Sequence, residues 1–283
     1  MSKYGSNQTR VPKQVQDHMV TGARFDLVWE SKIRAYYTHP IPTDLAPYYD
    51  NPEYISHNDQ ASGLIAGAYR IIRKFNIRLK LHWVNTAKPP GKHLLDYGSG
   101  IGDFLSAAKQ RSWNAKGIEV SGLARTTAEN KGLRIYKNQE EASNATYDVI
   151  TLWHVLEHLS DPIEMRGWFI KHLSSRGLLF VAVPNHCSWD AKFYQEFWAA
   201  YDVPRHLWHF SRESIATIFN DDFEIIQTHP MWFDSIYVSL LSERYKKNQG
   251  SVLRGIFVGI WSNLIALFSR EPSSVVYVLK KRK

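Results

Sequence analysis

The chain has little sulfur. Of its 283 residues one is a cysteine, Cys187, and four are methionines, which excludes an intramolecular disulfide and a cysteine-cluster zinc site. It lacks an apolar signal core at Met1-Ser2-Lys3-Tyr4-Gly5-Ser6, so the expected location is the cytoplasm. It lacks a zinc finger, an RNA-recognition signature and a basic repeat, although 35 Lys and Arg against 27 Asp and Glu give a net charge of +8. The basic residues gather at Arg70, Arg73, Lys74, Arg78 and Lys80 and in the tail Lys280-Lys281-Arg282-Lys283. Without a recognition motif these read as solvated faces, and nucleic acid is disfavoured as a partner.

What is present suits an α/β enzyme. A content of 44% hydrophobic residues over 283 buries a sizeable core. Residues 1 to about 60 read as irregular, and 61–88 carry helical apolar spacing at Leu64, Ile65, Tyr69, Ile72, Phe75 and Ile77. Lys88-Pro89-Pro90-Gly91 marks a linker. Two domains follow: an N-terminal extension over 1–90, expected to act as a substrate lid, and a cofactor-binding domain over 91–283 with a helical insertion at about 231–272.

The segment from His93 to Leu105 places an apolar strand before a glycine turn and a helix expected from Asp103 to Ser112. Glycines let backbone turn sharply and let a nucleoside-bearing ligand lie against the main chain. The dinucleotide fingerprint requires a third glycine three places after the second. That place holds Asp103, and the glycines fall instead at 98, 100 and 102, behind the strand-end acid Asp96. A second strand, Asn114 to Val120, carries Glu119 to the same sheet edge. A carboxylate there accepts both hydroxyl hydrogens of a ribose; the plainer reading is a solvated loop acid.

Tyr147 to Trp153 reads as a further strand, continued by His154-Val155-Leu156-Glu157-His158-Leu159-Ser160-Asp161-Pro162. These letters also spell H-x-x-E-H, a zinc-protease pattern that belongs within a sustained helix. Pro162 and the preceding β-rich run oppose that reading, so no metal is expected and His158 is taken as structural.

Acid, alternating glycines, second-strand acid and this carboxyl-edge run together resemble the class I S-adenosylmethionine-dependent methyltransferases. Asp202-Val203-Pro204-Arg205-His206-Leu207-Trp208-His209-Phe210-Ser211 resembles the D-x-P-R-H-x-x-x-F-S run of the subgroup catalogued as methyltransferase domain family 23, and the likeness extends upstream to Tyr48-Tyr49 and Tyr54-Ile55-Ser56-His57. The resemblance implies a doubly wound, Rossmann-like seven-stranded sheet with an antiparallel last strand. Its strands are expected near 93–97, 114–120, 133–136, 147–153, 177–183, 223–229 and 274–279. It implies S-adenosylmethionine as cofactor, lined by Asp96, Tyr97, Gly98, Ser99, Gly100 and Gly102, with Glu119 and Val120 opposite. Asn138, or Gln139 beside it, falls near the adenine, and Trp153 and His154 fall beside the methyl-bearing end.

The expected reaction is methyl transfer to a small-molecule or glycan-precursor acceptor, with oxygen slightly favoured as the methylated atom. An alcohol or phenol must lose its proton, which neutral histidine accepts. His206 and His154 are the candidate bases. Asp202 orients His206 or is itself the base, and Arg205 grips a carboxylate or phosphate; alternatively Asp202 and Arg205 only pin their loop. Trp189, Phe193, Trp198, Tyr201 and Trp208 read equally as an acceptor-stacking lid or as packing. The contrasting reading is a non-catalytic cofactor-binding scaffold on the same fold.

In the insertion, Ile256, Phe257, Ile260, Trp261, Leu264, Ile265 and Phe268 form one apolar stripe. Arg254 and Asn263 interrupt a run that is short of the ~20 residues that span a bilayer. The stripe is expected to cover a core or a homodimer partner, in a chain that is a monomer or homodimer; peripheral membrane contact through 253–268 is the lesser reading.

Overall fold

The computed structural model describes residues 11–49, 64–246 and 250–282, with side chains from Arg73 onward in the helix that starts at Leu64. The Tyr54-Ile55-Ser56-His57 letters lie outside the described residues. The chain divides into two compact units, Met1–Tyr54 with Pro184–Ser214 and Pro230–Val275, and Ile55–Val183 with Ile215–His229 and Val276–Lys283. The sequence places its boundary at residue 90; in the structure each unit is assembled from three stretches of chain.

The second unit is built on a seven-stranded sheet. Its strands are β4 (His93–Tyr97), β5 (Asn114–Ile118), β6 (Arg134–Tyr136), β7 (Tyr147–Trp153), β8 (Leu173–Pro184), β10 (Phe223–Pro230) and β11 (Ser274–Lys281), in the spatial order β10-β11-β8-β7-β4-β5-β6. Pairings β7–β4, β4–β5, β5–β6 and β7–β8 are parallel, and the last strand is antiparallel, as expected. The central strands bury both faces: Leu94, Leu95, Val149, Ile150, Leu179 to Ala182 and Val275 to Leu279 are all buried, as crossover helices on both sides require.

Helix α1 (Leu64–Thr86) precedes the sheet. Helix α2 (Asp103–Lys109) follows the glycine turn and ends three residues before the expected Ser112, which adopts φ +61°. Helix α3 (Gly122–Glu129) is capped by Ser121, and the short α4 (Gln139–Ala142) by Asn138. β5 stops at Ile118, so Glu119 and Val120 lie just beyond its end. After β7, Leu156–His158 is one 3-10 turn and Leu159 is extended. The H-x-x-E-H run therefore lies on no sustained helix. Helix α5 (Pro162–His172) begins where Asp161 accepts the Ile163 and Glu164 amides at 2.8 and 2.9 Å with Pro162 in its first turn, a strong start signal.

The first unit holds a structure where the sequence suggested irregular chain. β1 (Gln14–Gln16), β2 (Arg24–Glu30) and β3 (Ala35–His39) form an antiparallel meander. β9 (Trp208–His209) completes it through Tyr36↔His209 and Tyr37↔Trp208. Phe25 and Leu27 alternate inward to a core shared with Tyr194, Trp198, Tyr201 and Val203. Helix α6 (Trp189–Tyr194) precedes two 3-10 turns. The insertion is a helical hairpin, α8 (Trp232–Tyr245) and α9 (Val252–Ser269), while α7 (Arg212–Phe219) leads into β10.

Candidate active site

The glycine turn lies between the ends of β4 and β5. Amides of Gly98 and Ser99 both donate to the Ile118 carbonyl, at 2.8 and 2.9 Å, which fixes the turn against the next strand. Gly98, Gly100 and Gly102 take φ of +72°, +53° and +78°, the left-handed region that costs other residues roughly 1–2 kcal/mol. Their surroundings differ. A Cβ on Gly98 would stand 2.5 Å from Val155 Cγ2, and one on Gly102 2.3 Å from Leu133 Cδ1. A Cβ on Gly100 would meet nothing within 4 Å. Packing thus demands glycine at the first and third positions, whereas Gly100 leaves bare main chain beside open space.

Glu119 faces that main chain. Its Oε2 accepts the Gly100 amide at 2.8 Å and its Oε1 accepts the Ser121 amide at 2.8 Å. Arg125 holds the same corner by donating to the carbonyls of Glu119 and Val120 at 2.8 and 2.7 Å. Each carboxylate oxygen keeps a second lone-pair direction for an incoming hydroxyl. Val120 is 79% exposed beside it, an apolar surface with nothing of its own to cover.

Behind the turn, Asp96 is buried and accepts the Thr151 hydroxyl at 2.6 Å across the parallel β4–β7 pair. Burial raises its pKa to about 7; the Thr151 bond and the Lys80 charge pull it down, while Glu119 adds to the rise. Tyr97 directs its hydroxyl at Gln139 Oε1, 3.4 Å away. Burial, with Glu140, pushes that phenol up to about 12. Asn138 uses its Oδ1 to cap α4 through the Glu141 amide at 3.1 Å, so of the two polar residues at this turn Gln139 is the one directed at Tyr97.

Two buried polar atoms here lack a hydrogen-bond partner among the described residues, Ser99 Oγ and Trp153 Nε1. Trp153 is otherwise well packed, edge-on to Phe104 at 5.4 Å and under the Lys80 ammonium at 4.7 Å. Orphaned donors, bare main chain at Gly100 and the Glu119 carboxylate together fit a nucleoside-bearing cofactor.

His154 follows β7 in a left-handed conformation, φ +60°, which a non-glycine residue adopts at some energetic cost. Its amide donates to the Ala182 carbonyl at 3.0 Å. Its Nδ1 lies 3.3 Å from Oε1 of the fully buried Glu157. A carboxylate at Nδ1 fixes the tautomer and makes Nε2 the acceptor nitrogen. Sequence reading did not single out Glu157 as functional; its i,i+3 spacing from His154 is the signal that was available.

The remaining candidates belong to the first unit. Arg205 is fully buried: Nε donates to Asp202 Oδ2 at 3.0 Å, Nη2 pairs with Asp202 Oδ1, and Nη1 donates to the Tyr48 carbonyl at 3.1 Å. Burial opposes its charge, but the hydrogen bonds and charge of Asp202 outweigh it and raise the pKa. His206 Nδ1 lies 2.9 Å from the Ala200 carbonyl, its own carbonyl accepts the Thr38 hydroxyl at 2.6 Å, and Nε2 stands 3.8 Å from Asp202 Oδ2. Trp198 and Tyr201 are buried in the core, whereas Phe193 is 41% exposed; the first two rings pack the unit and do not form an open stacking surface.

The profile of a methyltransferase domain matches residues 70–228. Over 131 residues the chain is 27% identical to the ubiquinone biosynthesis O-methyltransferase of Aeromonas salmonicida (strain A449), covering 42% of this chain and 55% of that protein. The protein of the same description from Actinobacillus pleuropneumoniae serotype 7 (strain AP76) is 31% identical over 109 residues, covering 34% and 47%. The chain spans about half the length of these curated relatives. Among solved structures, magnesium protoporphyrin IX methyltransferase from Synechocystis PCC 6803 with bound SAH aligns over 83% of this chain and 97% of that one, with a TM-score of 0.54 at 13% identity, a likeness of fold.

Proposed function

The chain belongs to the methyltransferase-domain family and is an S-adenosylmethionine-dependent methyltransferase, and from that premise we propose that it methylates an oxygen of a small-molecule or glycan-precursor acceptor. The carrying observation is the 2.8 Å contact between Glu119 and the Gly100 amide. It puts a diol-accepting carboxylate beside backbone that no side chain covers. Asp96, Tyr97, Gly98, Ser99, Gly100 and Gly102 form one side of this cofactor site, Glu119 and Val120 the other, with Gln139 or Asn138 toward the base and Trp153 and His154 toward the reacting end.

When bound, S-adenosylmethionine supplies an already electrophilic methyl group. The chain's own work is then to hold the acceptor in line, exclude water and receive its proton. His154 suits the last task, because Glu157 retains the Nδ1 hydrogen and keeps Nε2 in the form that takes a hydroxyl proton. The choice of oxygen is supported by the descriptions of the two curated relatives, which align over part of their length. His206, held by Ala200 and flanked by Asp202, is the second candidate base. Arg205 is committed to Asp202 and the Tyr48 carbonyl, which supports a loop brace over an acceptor grip.

A tritiated-methyl transfer assay against a host metabolite extract tests the proposal. Label should appear in an alkali-stable ether of a small hydrophilic or phenolic molecule with the native chain and not with Gly100→Asp. Label confined to nitrogen or carbon would overturn the oxygen assignment.

A further inference from the structure

The Val252–Ser269 helix is inverted relative to a helix of a water-soluble core. Its buried positions are small or slender: Gly255, Val258, Gly259, Ser262 and Ala266. Its large apolar residues point outward, including Leu253 at 80%, Phe257 at 63% and Phe268 at 89% exposure. The expected stripe therefore does not cover the core. At 100° per residue, the exposed set from Val252 to Phe268 fills an arc of about 180°, and the buried set about 100° on the opposite side.

The inward side is attached to its unit in three ways. A Cβ on Gly259 would stand 2.5 Å from Ile236 Cα and one on Gly255 3.1 Å from Leu240 Cα, so small residues bring the two hairpin backbones together as they do in lipid-facing helix pairs. Ser262 donates to the buried Asp190 at 2.7 Å, and Asn263 Nδ2 to the Trp232 carbonyl at 2.8 Å. At the loop end Arg254 closes on Glu243 with contacts of 2.6 to 2.9 Å. A helix fastened along one side lies against a surface and does not cross a bilayer.

Charge selects the surface. Between Ser235 and Arg270 stand five basic residues, Arg244, Lys246, Lys247, Arg254 and Arg270, against the single acid Glu243, which is buried against Arg254. The helix itself contains no acid. A partner helix covers a seam narrower than ~100°, too little for this arc, whereas a bilayer covers the whole outward half. Aromatic rings at Phe257 and Trp261, stacked at 6.1 Å, suit the boundary between headgroups and acyl chains.

We propose that the outward half of the Val252–Ser269 helix is a membrane-docking face that lies in the surface of a bilayer containing anionic lipid. The test is flotation of the full chain with phosphatidylcholine vesicles, with and without phosphatidylglycerol, alongside size-exclusion chromatography. The native chain should float with the anionic vesicles. Phe257→Glu/Phe268→Glu should reduce that by roughly tenfold or more, with an unchanged thermal melt because both rings are exposed. Arg244→Gln/Arg270→Gln should weaken flotation only where phosphatidylglycerol is present. No flotation of the native chain, or equal flotation of the Phe variant, overturns the proposal. So does a native dimer that the Phe variant splits without any vesicle binding, since a second copy would then own the face. None of these readouts uses methyl transfer, so this proposal and the acceptor assignment fail separately.

Discussion

Glu119 Oε2 accepts the Gly100 amide at 2.8 Å, so the loop that must stay bare is tied to the carboxylate that faces it. Removing that carboxylate loses a charged acceptor, worth about 1.5–3 kcal/mol in similar settings. Glu119→Ala should weaken S-adenosylmethionine binding by roughly 10- to 150-fold in calorimetric titration, and Gly100→Asp should abolish it by filling the space and adding a negative charge. Unchanged affinity in Gly100→Asp would remove this groove as the cofactor site.

Gly98 and Gly100 separate folding from binding. Gly98→Ala adds a Cβ 2.5 Å from Val155 Cγ2, and Gly100→Ala adds one to open space. The first should lower the apo melting temperature by several degrees. The second carries only the ~1 kcal/mol backbone cost of φ +53° and should lose cofactor affinity instead. Equal melting temperatures in the two variants would contradict the packing account.

The nucleotide-binding half was legible because each of its signals is local. Strand, glycine turn and strand-end acid lie within one or two elements, and the parallel register brings Asp96, Gly117 and Thr151 level without further information. The meander was not legible: β3 finds its last partner at His209, far along the chain, and its Tyr-rich letters read as loop until that pairing exists. Periodicity located the stripe on the Val252–Ser269 helix but not its direction. Spacing alone cannot tell which side of an apolar helix turns inward, and here close backbone approach at Gly255 and Gly259 turned the small side in. Asn138 was placed correctly near the turn, yet helix capping claims its side chain.

Asp96 gives the apo protein a pH dependence of definite sign. Its folded pKa of about 7 lies above the ~3.9 of an unfolded chain, so the folded state binds the extra proton. The stability this contributes is complete below about pH 4 and is lost as pH rises toward and through 7, by up to about 4 kcal/mol. Asp96→Asn, which keeps the acceptor for Thr151, should flatten this fall and melt higher than the native chain at pH 8. Thermal melts from pH 4 to 8 decide it; a native curve as flat as the variant's would show that Asp96 is ionised throughout.

Arg205 should behave as a brace. Truncation leaves Asp202 and the Tyr48 carbonyl without their donor in a buried site, a loss of about 3–5 kcal/mol. Arg205→Ala should therefore fail to accumulate or melt well below the native chain, with cofactor affinity per folded molecule unchanged. A variant with native stability and a raised acceptor KM would return Arg205 to the acceptor site.

The His154–Glu157 pair makes the sharpest demand on chemistry. His154 occupies φ +60°, a conformation asparagine tolerates well, so His154→Asn should keep the fold and the cofactor affinity while removing the base. Turnover should fall about 10²-fold or more. Glu157→Gln keeps the volume but no longer favours the Nδ1 hydrogen, since its amide can present a donor to that nitrogen. It should slow turnover less than His154→Asn does and flatten the acidic limb of the pH–rate profile. His206→Ala is the control. If His206 serves to hold Ala200, its loss lowers the melting temperature and spares turnover. A comparably large, roughly hundredfold slowing at native stability, with His154→Asn fully active, would instead transfer the proton to His206.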